Sequence, residues 1–129
     1  MDARKQASPA RLIAVVDDDQ RVLESLDDLL QSSGYRTSLH TSAEELLQSK
    51  ALPSIKALIS DIGLPGMSGI ELLRTLRQGD GPYLPAILIT GRSEPYLEQH
   101  ARDLGVLRFF KKPFDTLELL TALDQQFPS

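Results

Sequence analysis

The sequence predicts a single α/β domain built on a parallel sheet, five strands alternating with five helices. Short, continuous, β-branched apolar runs alternate with longer stretches whose apolar residues recur at helical spacing. Turn residues punctuate the junctions between them. Each polar residue that ends an apolar run (Asp17, Asp61, Thr90, Lys112) closes a predicted strand at its carboxyl end. A strand–helix alternation of this kind packs as a parallel sheet with right-handed crossovers. Its 129 residues suit one domain.

Leu12-Ile-Ala-Val-Val16 reads as a strand covered on both faces. After Asp19, whose best reading is a helix N-cap, Val22, Leu23, Leu26, Leu29 and Leu30 form one helical stripe that Gly34 stops. Tyr35, Thr37 and Leu39 alternate like a less buried edge strand. Ser42-Ala-Glu-Glu45 is a capping-box signature for a short helix carrying Leu46 and Leu47. Ile55 to Ser60 is the third strand, ending at Asp61. The loop Gly63-Leu-Pro-Gly-Met-Ser-Gly69 opens a helix with Ile70, Leu73 and Leu76, and Gln78-Gly-Asp-Gly-Pro82 is a turn cluster. Ala86 to Ile89 is a buried fourth strand ending at Thr90, and Pro95 opens a helix that Gly105 closes. Val106 to Phe110 is the fifth strand, followed by Lys111-Lys112-Pro113 and a last helix capped by Asp115. Periodicity does not supply the strand order.

Composition narrows the function. Apolar content of 41% with 25% charged residues describes a globular chain, not a disordered one. With no cysteine there is no disulfide scaffold, thiolate metal site or cysteine nucleophile. The longest apolar run is Leu12 to Val16, far short of the ~20 residues of a membrane helix. Residues 1–10 lack the apolar centre of a secretory signal and read as a flexible tail, with the domain over 11–129. A net charge of −4 and the lack of a basic run argue against direct nucleic-acid binding. A soluble, cytoplasmic domain without a membrane contact is expected. Only three residues follow Gln126, leaving no room for an output domain within these residues.

The chemistry collects where the strands end. Asp17, Asp18, Asp19, Asp61, Thr90 and Lys112 belong to one crevice, the usual ligand position of an open α/β sheet. Clustered carboxylates repel one another, and a hard divalent cation compensates them; Mg²⁺ takes one or two carboxylates plus water and phosphate oxygens. A lysine and a hydroxyl across the crevice suit phosphoryl oxygens. Together they describe phosphoryl transfer to a carboxylate nucleophile.

Val15-Val-Asp-Asp-Asp19, Ser60-Asp-Ile-Gly-Leu-Pro-Gly-Met-Ser-Gly69, Leu88-Ile-Thr-Gly91 and Phe109-Phe-Lys-Lys-Pro-Phe114 resemble, in order, the motifs of the receiver domain of two-component response regulators. The resemblance covers about Leu12 to Gln126, and its flavour is that of receivers of the nitrogen-fixation transcriptional regulator type. It implies a doubly wound, flavodoxin-like sheet of order 2-1-3-4-5. It also implies that Asp61 accepts the phosphoryl group from a sensor histidine kinase or a phosphotransfer protein in a Mg²⁺-dependent reaction. Asp18 would ligate Mg²⁺ directly, Asp17 largely through water, and the Gly63 carbonyl would add an oxygen. Thr90 would be the switch hydroxyl, Lys112 the phosphoryl-binding lysine and Phe109 the switch aromatic. A cis Lys112–Pro113 bond and a conformational switch, with homodimerisation on phosphorylation as one outcome, belong to the same expectation. The domain would be a signalling phosphoacceptor, not an enzyme acting on other substrates. Two residues depart from the usual pattern: position 63 is glycine, where relatives carry a larger side chain, and the switch aromatic has no hydroxyl. Arg92 is expected to face the rim that Gly63 leaves open.

Rival readings explain less. A haloacid-dehalogenase-like phosphatase needs a second aspartate two positions after its nucleophile, where this chain has Gly63. A flavin module gives Lys112 and the acidic cluster no role. Gly63, Gly66 and Gly69 have neither the dinucleotide nor the Walker spacing and read as turn glycines. His40 and His100 read as surface residues.

Overall fold

A computed structural model describes residues 10–79, 83–92 and 94–128. Apart from Ala10, the tail expected over 1–10 lies outside them, as do residues 80–82 of the turn cluster. The strands are β1 (Leu12–Val16), β2 (Arg36–His40), β3 (Ile55–Asp61), β4 (Ala86–Thr90) and β5 (Arg108–Lys111). All neighbours run parallel, in the order β2-β1-β3-β4-β5. Helices α1 (Gln20–Ser32), α2 (Ala43–Leu47), α3 (Gly69–Gln78) and α4 (Pro95–Asp103) lie in the four crossovers and α5 (Thr116–Gln126) follows β5, with a 3₁₀ turn at Leu52–Ser54. The chain moves outward from β1 to β2 and then returns to the other side of β1. The carboxyl ends of β1 and β3 therefore flank the point where the winding reverses, where crossovers on opposite faces leave a crevice.

Strand alternation divides the core in two. Ile13, Val15, Ile59, Ile87 and Ile89 face Leu23, Leu26 and Leu30 of α1 and Leu119 and Leu123 of α5. Their neighbours Ala14, Val16, Leu58 and Leu88 face Leu46 of α2, Leu72 and Leu73 of α3 and Leu97 of α4. β1 and β4 are buried along their full length, as their continuous apolar runs require, while edge strand β2 is half-exposed.

Local chemistry fixes the ends. Gly34 and Gly105 take φ values of +93° and +74°, open to glycine at little cost. Each closes a Schellman motif: Tyr35 N–H donates to Leu30 and Val106 N–H to Ala101. The second closure corrects one boundary. Val106 N–H bonds back to the helix, Leu107 N–H makes the first bond to β4 at Ala86, and β5 runs from Arg108 and not from Val106. Side chains of Asp19, Ser42, Ser68 and Asp115 cap four helices, and Ser68 with Glu71 forms a reciprocal capping box. At the amino edge of the sheet, Arg77 donates to the carbonyls of Leu104 (3.0 Å) and Leu84 (2.6 Å), its guanidinium 3.9 Å from the centre of the Tyr83 ring.

Leu88, fully buried at mid-sheet between β3 and β5, tests the packing. Leu88→Ala is expected to cost about 2–5 kcal/mol through lost transfer energy and residual cavity, measured by urea unfolding.

Candidate functional site

The carboxyl end of β1 delivers consecutive aspartates to different environments. Asp17 is buried, its N–H donating to the His40 carbonyl at 3.1 Å, whereas Asp18 is exposed. Asp19 is the N-cap of α1, accepting from Arg21 N–H at 3.0 Å, and stands apart from the acidic cluster. Asp61, the last residue of β3, is buried as well. Carboxylate oxygens of Asp17, Asp18 and Asp61 all lie within 4.8 Å of one another.

Lys112 enters this cluster from beyond β5. Its backbone N–H donates to the Thr90 carbonyl at 2.7 Å, extending the ladder by one bond just before a cis Lys112–Pro113 junction. Its ammonium donates to Asp17 Oδ2 at 3.1 Å and to Asp61 Oδ2 at 3.2 Å. The other oxygen of Asp17 accepts from Asp19 N–H at 2.9 Å, and that of Asp61 from Gly63 N–H at 3.3 Å.

Electrostatics follow from burial and charge count. Burial raises the Asp17 carboxyl above the ordinary range, and Asp61 adds repulsion. Burial alone would lower the Lys112 ammonium. The hydrogen bond to Asp17 and the charges of Asp61 and Asp17 outweigh it, so the net shift is upward and the lysine stays a cation. One ammonium against three carboxylates leaves a residual negative charge. The donors are all oxygen, the set that suits a hard cation such as Mg²⁺ and not a soft one.

Thr90, at the end of β4, is fully buried, and its hydroxyl oxygen accepts from Arg92 N–H at 3.0 Å. That contact uses a lone pair and leaves the O–H free to donate. Phe109 is half-buried against the core on the α3/α4 face. Arg92 and Gly63 line one open cleft of about 580 Å³ with Asp18, Arg74 and His100, so Arg92 does face the rim that Gly63 leaves open.

The glycines of the β3–α3 loop serve different ends. Gly66 turns the chain with φ +75°. A Cβ on Gly69 would collide with the Asp61 carbonyl oxygen and stand 2.9 Å from Ile62 Cα, so its absence lets α3 start directly beneath the phosphoacceptor candidate. A Cβ on Gly63 would meet nothing within 4 Å.

One expectation is corrected. His40 is buried, not a surface residue: Nε2 lies 2.7 Å from Ser38 Oγ and Nδ1 3.4 Å from Glu45, and burial lowers its pKa. It ends edge strand β2, opposite Val16 of the central β1. His100 is exposed, as expected. Glu71, unremarked in the sequence reading, completes a Ser-x-x-Glu pattern visible at positions 68–71.

The family model for the response regulator receiver domain matches residues 13–124. The transcriptional regulatory protein FixJ of Azorhizobium caulinodans is 37% identical over 86% of this chain and 52% of its own length. The chain thus spans about half the length of the curated relatives it matches. A signal receiver domain of an HD domain-containing protein from Pseudomonas fluorescens superposes with TM-score 0.81 at 33% identity, covering 91% of this chain and 94% of that one. A response regulator receiver protein from Pseudomonas putida superposes with TM-score 0.82 at 29% identity, covering 92% and 98%.

The glycines give a paired test. Gly69→Ala is expected to lose about 1–3 kcal/mol because backbone must move to admit the methyl group. Gly63→Ala, with open space around it, should stay within about 0.5 kcal/mol of wild type. Equilibrium urea unfolding of both variants reads the contrast.

Proposed function

Because the chain belongs to the response regulator receiver domain family, we propose that it takes a phosphoryl group onto the Asp61 carboxylate and changes conformation in response. The observation that carries this reading is the Lys112 ammonium shared between Asp17 and Asp61, two buried carboxylates at the carboxyl edge of the sheet. The receiver domain proper is taken as 11–129. The donor is a sensor histidine kinase or a phosphotransfer protein presenting a phosphohistidine.

In the transfer, an Asp61 carboxylate oxygen forms a bond to phosphorus while the bond from phosphorus to the donor imidazole nitrogen breaks. The electron pair leaves with the ring, which takes up a proton from water. Lys112 neutralises phosphoryl oxygens as they arrive, its raised pKa keeping it charged throughout the neutral range. Asp18, Asp17, Asp61 and the Gly63 carbonyl would hold Mg²⁺, which would supply the positive charge that lets a phosphoryl group approach carboxylates. No other substrate is assigned; the domain acts on its own aspartate, and hydrolysis there returns it to rest.

Thr90 reads the modification. Its free O–H donates to a phosphoryl oxygen and draws the loop after β4 inward, opening space for the Phe109 ring to turn toward the core. Inverting a 1:99 equilibrium takes about 5.5 kcal/mol of differential stabilisation. Charge-assisted bonds from Lys112 and a hydroxyl to a phosphoryl group, with the cation, lie in that range. The rearranged α4–β5 surface then engages a partner or a second copy of the chain; nucleic acid is not a direct ligand of this domain. A cytoplasmic location is part of the proposal and rests on the family's signalling role. Separately, no helix among the described residues is long and apolar enough to cross a membrane.

Asp61→Asn keeps the shape of the acceptor but removes the nucleophile, so labelling by acetyl phosphate with Mg²⁺ should disappear. Undiminished labelling would place the acceptor elsewhere. Thr90→Ala should still be labelled yet respond poorly. Beryllofluoride should shift NMR resonances of Phe109 and α4 in wild type, and only those of the crevice in the variant.

A further inference from the structure

The β3–α3 loop, Gly63 to Ser68, carries the carbonyl assigned above to the cation, and its two ends are secured locally. Gly63 N–H donates to Asp61, Leu64 and Gly69 N–H to the Ile62 carbonyl at 2.9 and 3.0 Å, and Ser68 N–H to Glu71. Between those ends, among the described residues, one hydrogen bond ties the loop to another element. Met67 N–H donates to Glu44 Oε2 of α2 at 2.9 Å. The same oxygen sits 2.6 Å from where a Cβ on Gly66 would stand, so the carboxylate occupies room that only glycine leaves open. Glu44 is not needed to cap its own helix, because Ser42 already accepts from Glu45 N–H at 3.1 Å. The Met67 N–H holds the Glu44 carboxyl below its ordinary range, as expected of a group that accepts as an anion.

We propose that Glu44 is a positioning residue of the cation site: it clasps the Gly63–Ser68 loop to α2 and thereby sets where the Gly63 carbonyl stands. The role rests on the cation reading above. It follows the general behaviour of outer-shell groups, which orient a metal's ligands without touching the metal. Glu44 is exposed and lies outside the acidic cluster, so its influence runs through the loop and not through a place among the ligands.

Two substitutions separate clasp from charge. Glu44→Ala removes acceptor and charge; Glu44→Gln removes the charge but keeps a carbonyl that accepts from Met67. Two measurements on the full chain are made on each: hydrogen exchange of the Met67 amide without metal, and calorimetric titration with Mg²⁺ alone. Glu44→Ala should lose Met67 protection and bind Mg²⁺ about tenfold more weakly, the lower end for loss of an outer-shell partner. Glu44→Gln should keep protection and stay within about twofold of wild type, well short of that loss. Unchanged affinity in Glu44→Ala overturns the proposal and leaves the cation site standing. A loss in Glu44→Gln equal to that in Glu44→Ala also overturns it, since charge alone would then account for the effect. If wild type itself takes up no Mg²⁺, the cation reading fails and this role fails with it, whatever Met67 exchange shows.

Discussion

A single ammonium reconciles two buried carboxylates. Asp17 directly follows β1 and Asp61 ends the adjacent β3, at the point where the sheet's winding reverses, and both are buried. Isolated burial of either charge would cost several kcal/mol. Lys112 answers both from beyond β5, two strands away from β3, so the acidic rim is stable only when β1, β3, β4 and β5 are assembled in register. The site is therefore a property of the finished sheet and of no local segment. Thr90 and Lys112 are joined through backbone, so the hydroxyl and the cation share one frame.

Much of this was legible in the sequence because it is encoded in local chemistry. Leu12–Val16 and Ala86–Ile89 are continuous apolar runs, and both proved fully buried. Gly34 and Gly105 marked helix ends through a backbone conformation that other residues rarely adopt. Asp17, Asp61, Thr90 and Lys112 were visible because polar residues closing apolar runs are rare except where a crevice needs them. The strand order came from resemblance alone, since periodicity carries no information about which strands pair.

What escaped notice depends on long-range placement. His40 looked like a surface residue because its neighbours Thr41 and Ser38 are polar, but β2 turns it inward beside β1. Glu44 reads as one acidic residue in a helical first turn, and its contact 23 positions along exists only once α2 lies beside the β3–α3 loop. The late start of β5 goes with a helix end that reaches past Gly105, Val106 N–H bonding back to Ala101.

The Arg77 guanidinium, spread over Tyr83 and bonded to the Leu84 and Leu104 carbonyls, joins three parts of the fold at one point. It fastens the far end of α4 to α3 and to the foot of β4, and Tyr83 adds a bond to Gly105 at 2.9 Å. Among the described residues, the near end of α4 is held differently: Glu94 makes no side-chain cap there, and Leu97 in the first turn is buried in the core. The end of α4 that Gly105 closes is thus cross-linked to α3 and to the start of β4, while the opposite end is held by the packing of Leu97 in the core.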